Sequence, residues 1–405
     1  MSDNIFSSSK RVVSGMRTTG RLHLGNYHGA LKHWVALQHK YECFFFAADW
    51  HALTTHYEKP EIIQKSSWDM IVEWLAAGIN YNSVHLFIQS WVPEHAEMHL
   101  LLSMITPRSW LERVPTYKDQ IEKLHSLDLG TYGFLGYPLL QAADVLLYQA
   151  DFVPVGEDQI SHIEFIREVA RRFNFLYGRV PGFETLAEEA IVKIGKKNAK
   201  LYRSLLKAFQ EQGDHESLEM GRAFLEGQQS LSLGDKERLM GYLEGMGKII
   251  LLEPKALLTD VPKMPGIDGQ KMSKSYHNTI SLREPPEVVE KKILTMPTDP
   301  ARVKRTDPGN PECCPVWGLH KVYSPEDVRA WVQQGCTTAG IGCIDCKRPV
   351  IRAINEELKP IQENIREYEA NPTLVKNIIS EGSAAARTEA GHTLASVKEA
   401  IGLAY

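Results

Sequence analysis

The sequence predicts an α/β fold: a doubly wound parallel sheet joined to a helical C-terminal domain. Three observations lead there. Short apolar runs alternate with longer amphipathic ones through the first half, a rhythm that implies parallel strands with helical crossovers. Beyond about residue 283 the chain is mostly helical, with Pro-rich stretches at 285–286 and 297–315. The composition, 43% hydrophobic and 24% charged over 405 residues, suits two or three globular domains with a substantial core.

Each element follows from its residues. Arg11–Gly15 reads as a strand. Asn26–Tyr41 reads as a helix, with Ala30, Leu31, Trp34, Val35 and Leu37 at helical spacing. Cys43–Asp49 is a continuous apolar strand. A helix starts near Pro60, a residue suited to a first helical position, and runs to about Ala77. Val84–Gln89 is a strand, 93–149 is mainly helical, Phe152–Val155 is a fourth strand, and Gln159–Phe175 is a helix. Polar helical segments rich in Lys and Glu follow at Ala199–Gln212, Leu218–Gly227 and Asp235–Gly247. The expected organisation is a Rossmann-like domain at 1–182, a helical insertion at 183–261, a closing loop at 262–282 and a helical domain at 283–405.

The net charge is only −4, so any nucleic-acid contact must come from local basic patches. The start MSDNIFSSSK lacks the apolar core of a signal peptide, and no run of 18 apolar residues occurs. The reading is a cytoplasmic protein with no membrane span. Five of the six cysteines lie between 313 and 346, which in a cytosolic chain suggests metal more than disulfides.

Three segments carry the chemistry. Gly15–Tyr27 follows the first strand and opens the first helix, where unpaired N–H groups and a partial positive charge accept phosphates. Gly20 and Gly25 permit close approach of a nucleotide. His23 and Asn26, three apart, either face a phosphate or cap the helix. The second segment, Lys271-Met272-Ser273-Lys274-Ser275, follows Gly266-Ile267-Asp268-Gly269. Its lysines place compact positive charge where a polyphosphate develops negative charge. The third, Val153–Glu164, ends a strand, turns at Gly156 and begins a helix at Asp158 or Gln159. That is the strand edge where such sheets bind ligands. His162 and Glu164 read as structural.

Together these segments resemble the class I aminoacyl-tRNA synthetases. His23-Leu24-Gly25-Asn26 is similar to the HIGH signature, and 271–275 is identical to KMSKS. Within the class the chain resembles the tryptophan enzymes, through Gly25-Asn26-Tyr27-His28-Gly29-Ala30-Leu31 and the VPVGEDQ run at 153–159. Phe87-Ile88-Gln89-Ser90, Leu111-Glu112-Arg113 and Ala142-Ala143-Asp144 fit as well. Thr18 departs from the pattern, where Pro usually precedes a small residue, as does Arg17, often Gln. Gln141 stands where many bacterial tryptophan enzymes carry Met. Tyr137-x3-Gln141-x2-Asp144 also fits the tyrosine enzymes, so a tyrosine–tRNA ligase is the alternative. A non-catalytic synthetase paralogue binding tRNA is a further one.

The resemblance implies ATP-dependent activation of tryptophan, transfer to tRNA(Trp), and a homodimer. It implies catalytic roles for His23, Asn26, Lys271 and Lys274. ATP contacts would come from Arg17, Thr18, Thr19, Gly25, Asn26, Lys118, Gly156, Asp158, Lys271, Met272, Ser273 and Lys274, with Mg²⁺. Tyr137, Gln141, Asp144 and Gln159 would hold tryptophan, Asp144 accepting the indole N–H.

Four thiolates in one helical domain hold either Zn²⁺ or a [4Fe–4S] cluster. Cys336-x6-Cys343-x2-Cys346 supplies three of them, and Cys313 or Cys314 the fourth. The region resembles the subset of tryptophan enzymes with an iron–sulfur cluster in the anticodon-binding domain. Cys314 matches through the following Pro-Val-Trp; Cys313 gives the subset's 22-residue spacing. The expected ligands are Cys314, Cys336, Cys343 and Cys346, with zinc as the alternative metal. Cys43, in a core strand, reads as inert.

Overall fold

The computed structural model describes residues 10–114, 130–179, 182–258 and 264–405. Five strands form one sheet in the order β3-β2-β1-β4-β5. They are β1 Arg11–Arg17, β2 Glu42–Ala48, β3 Val84–Ile88, β4 Phe152–Val155 and β5 Lys255–Leu258. β1 pairs with β4 and β2 with β3, both in parallel, the latter in register from Cys43↔Val84 to Ala47↔Ile88. The reversal of strand order between β2–β1 and β1–β4 is the doubly wound pattern.

β2 is buried along its whole length, which explains its unbroken apolar sequence. Phe45 stacks on Trp34 at a centroid distance of 4.4 Å, and Trp34 meets Trp74 edge-on at 5.0 Å. Each such side chain removed from water contributes roughly 1.5–3 kcal/mol. Gly15 is dictated by this packing, because a Cβ there would lie 2.4 Å from the Phe46 ring.

Two compact units emerge. The first gathers Ser14–Gln89 and Leu258–Ser383; the second gathers Lys10–Val13, Ser90–Leu257 and Ala384–Tyr405. In the first unit the long Cys343–Ala370 helix packs on the Glu61–Ala76 helix, where Asn364 Nδ2 donates to the Ala76 carbonyl at 3.0 Å. Glu357 on the long helix meets His28 at 2.9 Å and Lys32 at 3.1 Å.

In the second unit the helices Phe183–Lys193, Lys196–Gln212, His215–Glu226 and Leu233–Leu243 enclose a core of their own, built on Ile191, Tyr202, Leu225, Leu239 and Leu243. The Tyr202 hydroxyl donates to the Leu239 carbonyl at 2.7 Å. Asp214 and Ser232 cap two of these helices through the N–H groups of Glu216 and Asp235.

Three elements depart from the sequence expectation. The first helix begins at Leu24 rather than Asn26 and contains a π-helical turn over Tyr27–Leu31 before Lys32–Leu37. A separate helix, Asp49–His56, follows β2 directly, and β5 adds a strand with no strong apolar pattern. Among the described residues no helix is long and apolar enough to cross a membrane.

Candidate adenylate site and cysteine cavity

The first unit brings the helix tip and the lysine-bearing loop together. Gly20 adopts φ +100°, which a residue with a Cβ resists, and the chain then turns into Leu22–Leu24. These residues pair with the extended segment 280–282 that follows the loop: Leu24 N–H donates to the Ile280 carbonyl at 3.0 Å, and Leu282 N–H to the Leu22 carbonyl at 3.1 Å. His23 bridges Ser281. Lys274 Nζ donates to the Gly20 carbonyl at 2.7 Å. A Cβ on Gly25 would come 2.9 Å from the His23 ring and 3.5 Å from Met272 Cβ.

His23 and Asn26 form a reciprocal capping box. His23 Nδ1 accepts the Asn26 N–H at 3.3 Å, and Asn26 Oδ1 accepts the His23 N–H at 3.2 Å. Of the two roles open to this i, i+3 pair, capping is the one the geometry displays. Burial, and then the charge of Lys274, lower the His23 pKa to about 4. The ring is therefore neutral at pH 7, as an Nδ1 acceptor must be. Burial also lowers the Lys274 pKa to about 8, against the raising effect of Glu73. Thr18 Oγ1 is buried with no hydrogen-bond partner among the described residues. Arg17 Nη2 donates to Thr55 Oγ1 at 2.5 Å, and Thr19 N–H closes a turn on the Arg17 carbonyl.

Two residues that the sequence reading passed over organise this region. Asn278, 1% exposed, accepts the Ser273 N–H at 2.8 Å and donates to Asp268 at 2.7 Å and to the Lys271 carbonyl at 3.1 Å. Its signal was slight: one Asn in the turn-rich run after 275. Glu73 is fully buried and accepts the Leu22 N–H at 2.8 Å. A carboxylate set within the apolar stretch Met70–Ala76 is the signal that would have found it.

In the second unit Tyr137, Gln141 and Asp144 lie four and three apart on the Tyr137–Leu146 helix, which places them on one face. Asp144 meets buried His95 at 2.7 Å, and His95 meets the Tyr148 hydroxyl at 2.7 Å. The consistent assignment has His95 Nδ1–H donating to the carboxylate and Tyr148 O–H donating to Nε2. Burial, then Asp144, raises the Tyr148 pKa well above its ordinary value, so its hydroxyl stays a donor. Gln141 Oε1 meets His162 Nδ1 at 2.8 Å. Gly156 precedes a 3₁₀ turn, Glu157–Gln159, and Gln159 precedes the Ile160–Tyr177 helix. Lys118 and the side chain of Asp158 lie outside the described residues.

In the first unit Cys314, Cys336, Cys343 and Cys346 line one cavity with Arg302 and Lys347. Cys314 precedes the Pro315–Tyr323 helix, Cys336 lies near the end of Glu326–Thr337, and Cys343 and Cys346 occupy the first turn of the long helix. Cys313 points elsewhere: it is exposed and accepts from Asn310 Nδ2 at 3.3 Å. Burial pushes the Cys346 thiol up to about 12, and the other three cavity cysteines push the same way. Lys347, 4% exposed, donates to the carbonyls of Leu294 and Met296. Among the described residues, no three or more His, Cys, Asp or Glu side chains are gathered so as to hold a metal ion. Cys43 is buried in β2, and burial, then Glu42, raises its thiol to about 12.

The family model for class I tRNA synthetases (W and Y) matches residues 7–195 and 231–359. A tryptophan–tRNA ligase of Ralstonia nicotianae is 63% identical over 396 residues, covering 98% of this chain and 99% of that protein. One from Thermotoga maritima is 43% identical over 397 residues, covering 98% of this chain and all of that protein. The crystal structure of Campylobacter jejuni tryptophanyl-tRNA synthetase with ADP and tryptophan superposes with a TM-score of 0.70 at 28% identity, covering 97% of this chain and 100% of that one.

Proposed function

The chain belongs to the tryptophan–tRNA ligases of class I, and from that premise we propose which residues activate tryptophan with ATP and how. The tryptophan carboxylate attacks the α-phosphate of ATP; the bond to pyrophosphate breaks, and tryptophanyl-adenylate forms. The 2′-hydroxyl of the terminal tRNA ribose then attacks the activated carbonyl, and AMP leaves. Neither step needs a covalent enzyme intermediate, so positioning and charge stabilisation do the work.

The single observation that carries this reading is the approach of Lys274 to the Gly20 carbonyl, at 2.7 Å, beside the capped helix tip. Polyphosphate would take the place of that carbonyl as the partner of Lys274, with exposed Lys271 and Mg²⁺ sharing the charge. The Gly25 N–H at the tip, with His23 and Asn26 holding its shape, would receive ATP phosphate. The orphaned Thr18 hydroxyl supports a ligand here, since a buried donor left alone costs about 1–3 kcal/mol. Gly25 leaves room for adenosine, and Arg17, Thr19, Met272, Ser273, Gly156, Asp158 and Lys118 complete the ATP contacts by family resemblance. Asp144, steadied by His95, would accept the indole N–H, while Tyr137, Gln141 and Gln159 would hold the rest of the amino acid.

Pyrophosphate exchange across the twenty amino acids tests this assignment. Tryptophan should support exchange at least about 10⁴-fold better than phenylalanine, which cannot satisfy a buried acceptor. Equal exchange with tyrosine would contradict it.

The cysteine cavity supports a [4Fe–4S] cluster held by Cys314, Cys336, Cys343 and Cys346. The reading rests on four cysteines lining one cavity and on the resemblance of this region to the cluster-bearing subset. Such a cluster would supply a rigid cross-link and neutralise crowded thiolates, with Arg302 and Lys347 alongside. Basic residues nearby, including Arg305, Arg348 and Arg352, suit an anticodon. Anaerobically purified protein should absorb near 400 nm; colourless protein with stoichiometric zinc would contradict the cluster. A homodimer in the cytoplasm completes the proposal, and sedimentation tests the dimer.

A further inference from the structure

We propose that Glu73 is a positioning residue for adenylate formation, clamping the segment before the helix tip to the extended segment after the lysine loop. It sits in the Glu61–Ala76 helix and is fully buried. One carboxylate oxygen accepts the Leu22 N–H at 2.8 Å, and the other accepts Arg283 Nε at 2.5 Å. Leu22 immediately precedes His23. Arg283 immediately follows Leu282, whose N–H donates to the Leu22 carbonyl. A single carboxylate thus closes the ring that joins the tip to that segment. Arg283 is held in turn by the Asp69 carbonyl at 3.2 Å and by the Glu369 carboxylate near the end of the Cys343–Ala370 helix.

An apolar side chain would fill the same interior position without the cost of desolvating a carboxylate, but it could not accept the Leu22 N–H or anchor Arg283. Glu73 also faces the charge balance at Lys274. Burial favours the neutral amine; Glu73 favours the ammonium; His23, the other ionisable group acting there, is neutral above pH 6.5. The inference rests on the proposed role of Lys274 as a charged contact to the leaving pyrophosphate.

Glu73→Gln, assayed by tryptophan-dependent pyrophosphate exchange from pH 6 to 9.5, tests it. The expected result is a loss in kcat/KM for ATP of roughly tenfold or more, with KM for tryptophan within about twofold. The basic limb of the profile should move to lower pH, because Lys274 loses the charge that holds its proton. Glu73→Asp, which keeps the charge and shortens the reach, should weaken ATP kinetics and leave the limb in place. ATP kinetics and a basic limb unchanged in Glu73→Gln would overturn the proposal, as would a fall in thermal stability alone. If Glu73→Gln does not fold, Arg283→Lys, which leaves the carboxylate and weakens the clamp, carries the test: unchanged kcat/KM for ATP would overturn the proposal. Full exchange by Lys274→Ala would instead refute the lysine assignment, which separates the two failures.

Discussion

Asp144 illustrates how much a single side chain depends on its neighbours. A carboxylate buried to 1% exposure must be fixed in one orientation to select an N–H donor, and His95 with Tyr148 provides that fixing. His95→Leu should therefore lower kcat/KM for tryptophan by a factor of roughly 10 to 100, the worth of a hydrogen bond to a charged group, with KM for ATP unchanged. Exchange kinetics with each substrate varied would check it. His23 makes a prediction about pH. Its pKa falls from 6.5 to about 4 on folding, so its contribution is fully present above pH 6.5 and is lost as pH falls through 4. Protonation also removes the Nδ1 acceptor that caps the tip. Between pH 6.5 and 4, wild type should lose more stability than His23→Asn, measured by urea midpoints. The sequence made His23 and Asn26 visible through their spacing. It left open whether they face a ligand or each other's backbone, because both outcomes use the same i, i+3 geometry.

At the scale of elements, the strands were legible where short apolar runs stood between turn residues. β2 reads as an unbroken apolar run because both its faces are covered, and β4 was placed to the residue. β5 was not legible, because side-chain amides rather than apolar periodicity lead the chain into it. Gln149 and Asn174 bind the backbone of 250–252 with five hydrogen bonds of 2.8–2.9 Å. The π-helical turn at Tyr27–Leu31 was equally hidden, since a one-residue shift in helical hydrogen bonding leaves little trace in composition. Three of the four insertion helices were found by their polar, periodic sequence, Phe183–Lys193 was not, and side-chain caps mark the starts of two. Ser232→Ala should cost about 1 kcal/mol of stability through loss of the bond to Asp235 N–H. Equilibrium unfolding in urea would read it, and a change within about 0.2 kcal/mol of zero would remove Ser232 as a cap.

At the scale of the molecule, residues far apart in sequence share one compact unit: Ser14–Gln89 closes with Leu258–Ser383, although about 170 residues separate them in the chain. The family signatures at 23–26 and 271–275 meet for that reason, and their strings were readable long before their contact was. Arg283 went unread because its partners Glu73 and Asp69 are remote in sequence, Asn278 because one Asn in a loop gives little signal, and Glu73 although its apolar neighbours marked it. The central claim is that a charged lysine loop and a capped helix tip grip ATP while pyrophosphate departs. Single-turnover formation of tryptophanyl-adenylate by Lys274→Ala tests it most directly. The rate should fall by roughly 10²–10³ with tryptophan affinity preserved; a rate within twofold of wild type would contradict the account.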